Sequence, residues 1–241
     1  MYNFDIDNKN YSLPVDLSDI TLRKFKEVSN YYEKNPIAGD ALENETFEAY
    51  INFISVFLEI PVKELKKVKL TASNGFGIIE LYSYLIRLIE LPNMDLFSPI
   101  LEFEHDGIKY QCVEEHIEVF KDKKPLEDMT FEQYEDCVTV LQNYDALKGE
   151  SRDALGYLAA ILFRPLESKW YYFSPRVEQY DSEKTKLRVD TFQDITMDKI
   201  YSAYFFLTEQ TNTLAKDFNH YSSLVGKEEL AKALASIALR N

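Results

Sequence analysis

The sequence predicts a mostly helical α+β protein in which two short β-hairpins pack among amphipathic helices. Apolar residues recur every three or four positions through most of the 241 residues, which is the period of a helix with one buried face. Residues 2–13 and 101–112 instead alternate apolar and polar side chains, as strands do. The chain has only seven glycines and eight prolines, so we expect few linkers and little disorder.

The charge balance is strongly acidic. With 27 Lys and Arg against 41 Asp and Glu, the formal net charge is -14, and such a surface disfavours binding to a phosphate backbone. Two cysteines are too few for a disulfide framework, so we expect both to be reduced and packed. No apolar run approaches the roughly 20 residues of a membrane span, and the first residues lack the basic and apolar regions of a signal peptide. We therefore expect a soluble protein of a reducing cytoplasm that binds neither nucleic acid nor membrane.

The chain begins with a predicted hairpin over residues 2–13, which Pro14 ends. Thr21 then occupies the N-cap position of a helix. Ile20 before this cap and Phe25 four positions after it have the spacing of a hydrophobic staple. This first helix is expected to run to about residue 32.

Three further helices are predicted in the first half. One begins near Asp40 with Glu43 completing a capping box, and Pro61 opens a short one in the favoured first turn. Residues 78–91 are apolar over more than half of the helix circumference, so we expect this helix deep in the core. The buried stripe of the helix after Asp40 is predicted to be Phe47, Ile51, Ile54 and Leu58.

The second half again starts with a hairpin. Asp106-Gly107 between two alternating segments is the strongest short-range signal for a two-residue hairpin turn. Thr130 and Gln133 predict a capping box, and Met129 with Tyr134 predicts a second staple.

The helices that follow differ in character. An apolar helix over residues 154–163 is stopped by Arg164-Pro165, and a charged helix spans residues 181–192. Thr196 is predicted to cap a long helix, and residues 228–239 form a last amphipathic one. The stripe of the long helix is predicted to be Ile200, Tyr204, Leu207, Thr211, Leu214 and Phe218.

The two halves share a short motif. Residues 17–25, LSDITLRKF, align with residues 126–134, LEDMTFEQY, at an offset of 109 (126 − 17), with Leu, Asp and Thr identical. A hairpin precedes both copies, and an apolar helix that ends near proline follows both. We therefore predict a degenerate duplication, with one hairpin-plus-helices repeat over residues 1–98 and a second over 99–241 that adds the last helix, packed as one unit. Any stapled helix start resembles this motif, so coincidence stays open as an alternative.

No motif in the chain predicts catalysis. Phosphate-binding loops, zinc-protease helices and nucleophile elbows are missing, and Gly75 with Gly77 is explained by a loop that enters a helix. Three residues could be zinc ligands, namely Cys112, His116 and Cys137, but no Cys-x-x-Cys or histidine pair completes a tetrahedral set. We predict no catalytic residue, no metal and no cofactor.

Two apolar segments are candidates for a partner interface. Trp, Tyr and Arg are enriched at the centres of protein interfaces, and the last helix either docks on the body or reaches a partner. Arg164 has a second interpretation, because it could cap the carbonyl end of the preceding helix. The aromatic residues could equally belong to the core. The candidate interface residues are Arg164, Trp170, Tyr171, Tyr172, Leu230, Leu234 and Ile237.

Together these segments resemble a family encoded in the structural gene clusters of tailed phages, described as tail assembly chaperones or hub-assembly proteins. The resemblance lies in the repeated helix start at Leu17 and Leu126, in residues 160–165 (AILFRP), in residues 180–183 (YDSE) with Arg188 and Phe192, and in residues 203–207 (AYFFL). It implies a protein that binds other phage structural proteins without catalysis, in the host cytoplasm during assembly or retained in the virion. A homo-oligomer is a further expectation.

Two other function classes remain open at this point. An acidic binding module that mimics DNA, or inhibits a nucleic-acid enzyme, would need its negative charge in one continuous stripe. An enzyme with an unmarked active site would need a deep pocket with converging carboxylates or histidines.

Overall fold

A computed structural model of the chain confirms the mostly helical α+β class. It describes residues 2–6, 9–37, 44–68, 77–90, 92, 97–112, 129–143, 153–167 and 176–208. Among these residues, none of the helices is both long enough and apolar enough to cross a bilayer.

The described elements alternate between hairpins and helices. In the first half they are β1 (Tyr2–Ile6), β2 (Lys9–Leu13), a 3-10 turn (Leu17–Asp19), α1 (Leu22–Lys34), α2 (Asn44–Leu58), α3 (Val62–Leu65) and α4 (Ile78–Ile89). In the second half they are β3 (Glu102–His105), β4 (Ile108–Cys112), α5 (Phe131–Asn143), α6 (Asp153–Leu162), β5 (Phe163–Glu167), β6 (Arg176–Val177), α7 (Ser182–Phe192) and α8 (197–208).

Both predicted hairpins are confirmed, and the second extends into a larger sheet. β1 and β2 pair alone, whereas β3, β4, β5 and β6 follow one another in an antiparallel sheet. At the β3–β4 turn, Asp106 and Gly107 have φ of 51° and 74°, and positive φ at both positions is what a type I′ turn requires.

One hydrophobic cluster contains buried residues from both halves of the chain. Around Phe192, which is fully buried, the rings of Phe103 and Tyr110 lie at centroid distances of 6.4 and 5.6 Å in edge-on arrangements. Phe163 packs edge-on against Phe103 at 5.0 Å. These rings fasten α7 to one face of the sheet.

Several predicted buried faces need correction. On α2, Ile51 and Ile54 are buried as expected, but Phe47 and Leu58 are only partly buried, and Phe53 and Phe57 are buried in their place. The reason is that α2 packs against α1 on one side and α4 on another, which shifts and widens its covered face. The Asp40 and Glu43 capping box lies outside the described residues.

The burial of α4 and α8 differs from the prediction: α4 is less buried than expected and α8 is more buried. On α4, Ile78, Leu81 and Leu85 are fully buried while the remaining apolar residues are partly exposed, so this helix is not deep in the core. α8 is buried almost all round rather than along one stripe. Its buried residues include Ile200, Tyr201, Ser202, Ala203, Phe205, Phe206 and Leu207, and the predicted positions 211, 214 and 218 lie outside the described residues.

Candidate functional site

Of the predicted interface residues, only Arg164 falls within the described part of the chain. Trp170, Tyr171, Tyr172, Leu230, Leu234 and Ile237 all lie outside it. Arg164 sits in β5 opposite Gln111 of β4, and only 7% of its surface is exposed. Burial, followed by the charge of Arg188, lowers the pKa of its guanidinium.

The position of Arg164 places its backbone in the sheet. Helix α6 ends at Leu162 and the chain enters β5 at the next residue, so the backbone of Arg164 pairs with that of Gln111. Its side chain is buried within the chain, and its contact with a partner stays a prediction. The sequence signal for a helix stop before Pro165 is confirmed, but the pairing of β5 with β4 depends on residues about fifty positions earlier.

A cluster of charges joins β6 to α7 close to Arg164. Glu178 donates its backbone N–H to the Pro165 carbonyl at 2.9 Å, and its carboxylate accepts from Lys184 Nζ at 2.8 Å and from Arg188 Nη1. Burial alone would raise the pKa of Glu178, but the hydrogen bonds from Lys184 and Arg188 outweigh it, and the pKa is lowered. The Tyr180 hydroxyl donates to Asp136 on α5. These contacts fix the start of α7 against the sheet and α5.

The residues considered for a metal site are partly described. Cys112 and Cys137 are fully buried and not bonded to each other, and His116 lies outside the described residues. Burial raises the pKa of the Cys137 thiol, so it stays protonated and is a poor nucleophile. Across the described ranges, no three His, Cys, Asp or Glu side chains are grouped to hold a metal ion. Gly77 precedes α4 at its N-cap position, as the loop interpretation expects, and Gly75 lies outside the described residues.

A buried carboxylate that no sequence pattern singles out contacts the first hairpin. Glu64 of α3 is 5% exposed and accepts hydrogen bonds from Lys9 Nζ and the Tyr11 hydroxyl, both on β2. The hydrogen bond from Lys9, and then that from Tyr11, lowers the pKa of Glu64. The same contact raises the pKa of Tyr11, because a phenolate would face the carboxylate.

We expect Glu64→Gln to loosen this hairpin in a pH-dependent way. The pKa of Glu64 is lower in the folded than in the unfolded chain, so its contribution to stability is fully present above the unfolded pKa and is lost as pH falls through the folded pKa. Urea unfolding at pH 7 should therefore show the variant less stable than the wild type, and the difference should shrink towards pH 3. A difference that stays constant across this range would contradict the account.

The starts of α1 and α8 pair with each other. Thr21 and Thr196 form an antiparallel bridge, in which Leu22 N donates to Ile195 O at 2.9 Å and Met197 N donates to Ile20 O at 2.8 Å. The first N–H of a helix has no partner within the helix, and here each one is satisfied by the other segment. We call this contact the helix-start junction. Its two segments run antiparallel.

This junction shows a third copy of the motif, which the sequence analysis missed. Residues 192–200, FQDITMDKI, match residues 17–25 with Asp, Ile, Thr and Lys identical, at an offset of 175 (192 − 17). The shared Asp-Ile-Thr was visible in the sequence and could have been found by comparing all three threonine-led helix starts. In all three copies the N–H four residues after Thr donates to the Thr carbonyl, at 2.9, 3.0 and 3.2 Å for Phe25, Tyr134 and Ile200.

The threonine side chains differ between copies. Thr21 and Thr130 accept from the N–H groups of Lys24 and Gln133, at 3.3 and 3.2 Å, which confirms both as N-caps. The hydroxyl of Thr196 instead accepts from Lys199 Nζ at 2.7 Å and donates to Asp198.

The capping box predicted at Thr130 is only half formed. The Gln133 side chain is fully buried and donates from Nε2 to the Ile161 carbonyl at 3.0 Å rather than turning back to the cap. It thereby satisfies a carbonyl at the end of α6, where the helix leaves its last acceptors unpaired.

The outer face of α7 carries an exposed leucine. Leu187 is 81% exposed, whereas Thr185 and Phe192 on the same helix are fully buried. Its exposed neighbours Glu183 and Lys186 form an ion pair at 2.6 Å. A single exposed apolar side chain among charges forms no large apolar patch.

Comparison with known proteins identifies no relative with which these features could be compared. No protein-family model, no curated protein and no solved structure matches the chain. The likeness to phage assembly proteins thus depends on the segments quoted above and stays a prediction.

Proposed function

We propose that this protein is a non-enzymatic assembly factor or structural component of a tailed phage, and that it binds tail or baseplate components. The likeness to phage assembly proteins supplies the class of partner. The single observation that carries a binding role is the exposure of Leu187 on α7, the helix that also contains the resembling residues Arg188 and Phe192. This helix is held to the body by the contact of Arg188 with Glu178 and by the ring of Phe192, so the leucine is presented on a fixed helix.

Leu187→Glu is expected to reduce binding to the cognate tail or baseplate protein by at least about tenfold, as loss of an apolar anchor at an interface does. The measurement is co-expression with the tail and baseplate proteins encoded beside its gene, followed by size-exclusion chromatography with light scattering. Thermal unfolding of the isolated variant should be unchanged, because the side chain is exposed.

Val15→Glu is the matched control, since Val15 is also exposed, at 50%, but lies near the amino terminus, away from α7 in the chain. It should leave binding intact. If the wild-type protein forms no complex with any of these components, the proposed function is wrong. If Leu187→Glu and Val15→Glu behave alike, the role of α7 is wrong.

The acidic DNA-mimic alternative gains no support from the described surface. Lysine and arginine are interleaved with the carboxylates there, as in the ion pairs of Arg23 with Asp194, Lys24 with Glu59 and Lys66 with Glu48. A continuous acidic stripe would leave such carboxylates unpaired.

A further inference from the structure

No further inference is drawn: the strongest candidate, the side-chain cluster of Arg164 and Arg188 beside Glu178 where β5 and β6 meet α7, holds two buried Nε atoms without a hydrogen-bond partner among the described residues, but both atoms are so fully enclosed that no anion fits beside them.

Discussion

Replacing Phe192 by alanine is expected to lower the free energy of unfolding by about 3–5 kcal/mol. The ring is fully buried where α7 meets the sheet, and it contacts Phe103 and Tyr110 edge-on. Removing it leaves a cavity between two layers that no neighbouring side chain can fill without leaving its own contacts. Urea denaturation followed by circular dichroism measures the loss.

The same helix supplies the control for this variant. Leu187→Ala removes a large apolar side chain that is 81% exposed, so the change in unfolding free energy should stay within about 0.5 kcal/mol. Similar losses for the two variants would mean that α7 is not packed on the sheet as described.

Gly156→Ala is expected to destabilise the protein by about 1–2 kcal/mol, although alanine is ordinarily the better helix former. A Cβ at this position of α6 would lie 2.7 Å from Leu22 Cδ2 and 3.3 Å from Gln193 Nε2. Leu22 is fully buried at the start of α1, so its side chain cannot move aside freely. The glycine therefore allows α6 to approach the helix-start junction closely.

The sign of this effect should reverse once the obstructing atom is removed. In a Leu22→Val background, which lacks the δ carbons, Gly156→Ala should become stabilising by up to about 1 kcal/mol through helix propensity. A double-mutant cycle measured by urea denaturation gives the coupling between the two positions. If Gly156→Ala has the same effect in both backgrounds, close packing against Leu22 is not the reason for the glycine.

Features governed by neighbouring residues could be predicted from the sequence. The turn at Asp106-Gly107, the caps at Thr21 and Thr130, and the charged helix begun by Asp181 each depend on a few adjacent positions. Asp181 accepts from the N–H groups of Glu183 and Lys184, as an N-cap should. Short-range signals of this kind have a local physical cause, and the structure confirms them.

Features that depend on distant partners could not be predicted in the same way. Arg164 is buried because β5 pairs with β4, Glu64 because the first hairpin lies against α3, and Gln133 because the end of α6 presents a free carbonyl. Each partner is at least 28 residues away in the sequence, and no pattern within one element specifies it. For the same reason most of the candidate interface still rests on composition, because its aromatic segment and last helix lie outside the described residues.

The bridge between Thr21 and Thr196 affects the order in which the chain folds. It joins positions 175 residues apart (196 − 21), so closing it requires most of the polypeptide to exist before the first helix meets its permanent neighbour. Contacts of such long sequence separation form late and slow folding, because the entropy of closing the loop is lost before they contribute. During synthesis the first turn of the amino-terminal helix therefore emerges uncovered. It gains its permanent hydrogen-bond partners only after the segment around Thr196 has been synthesised.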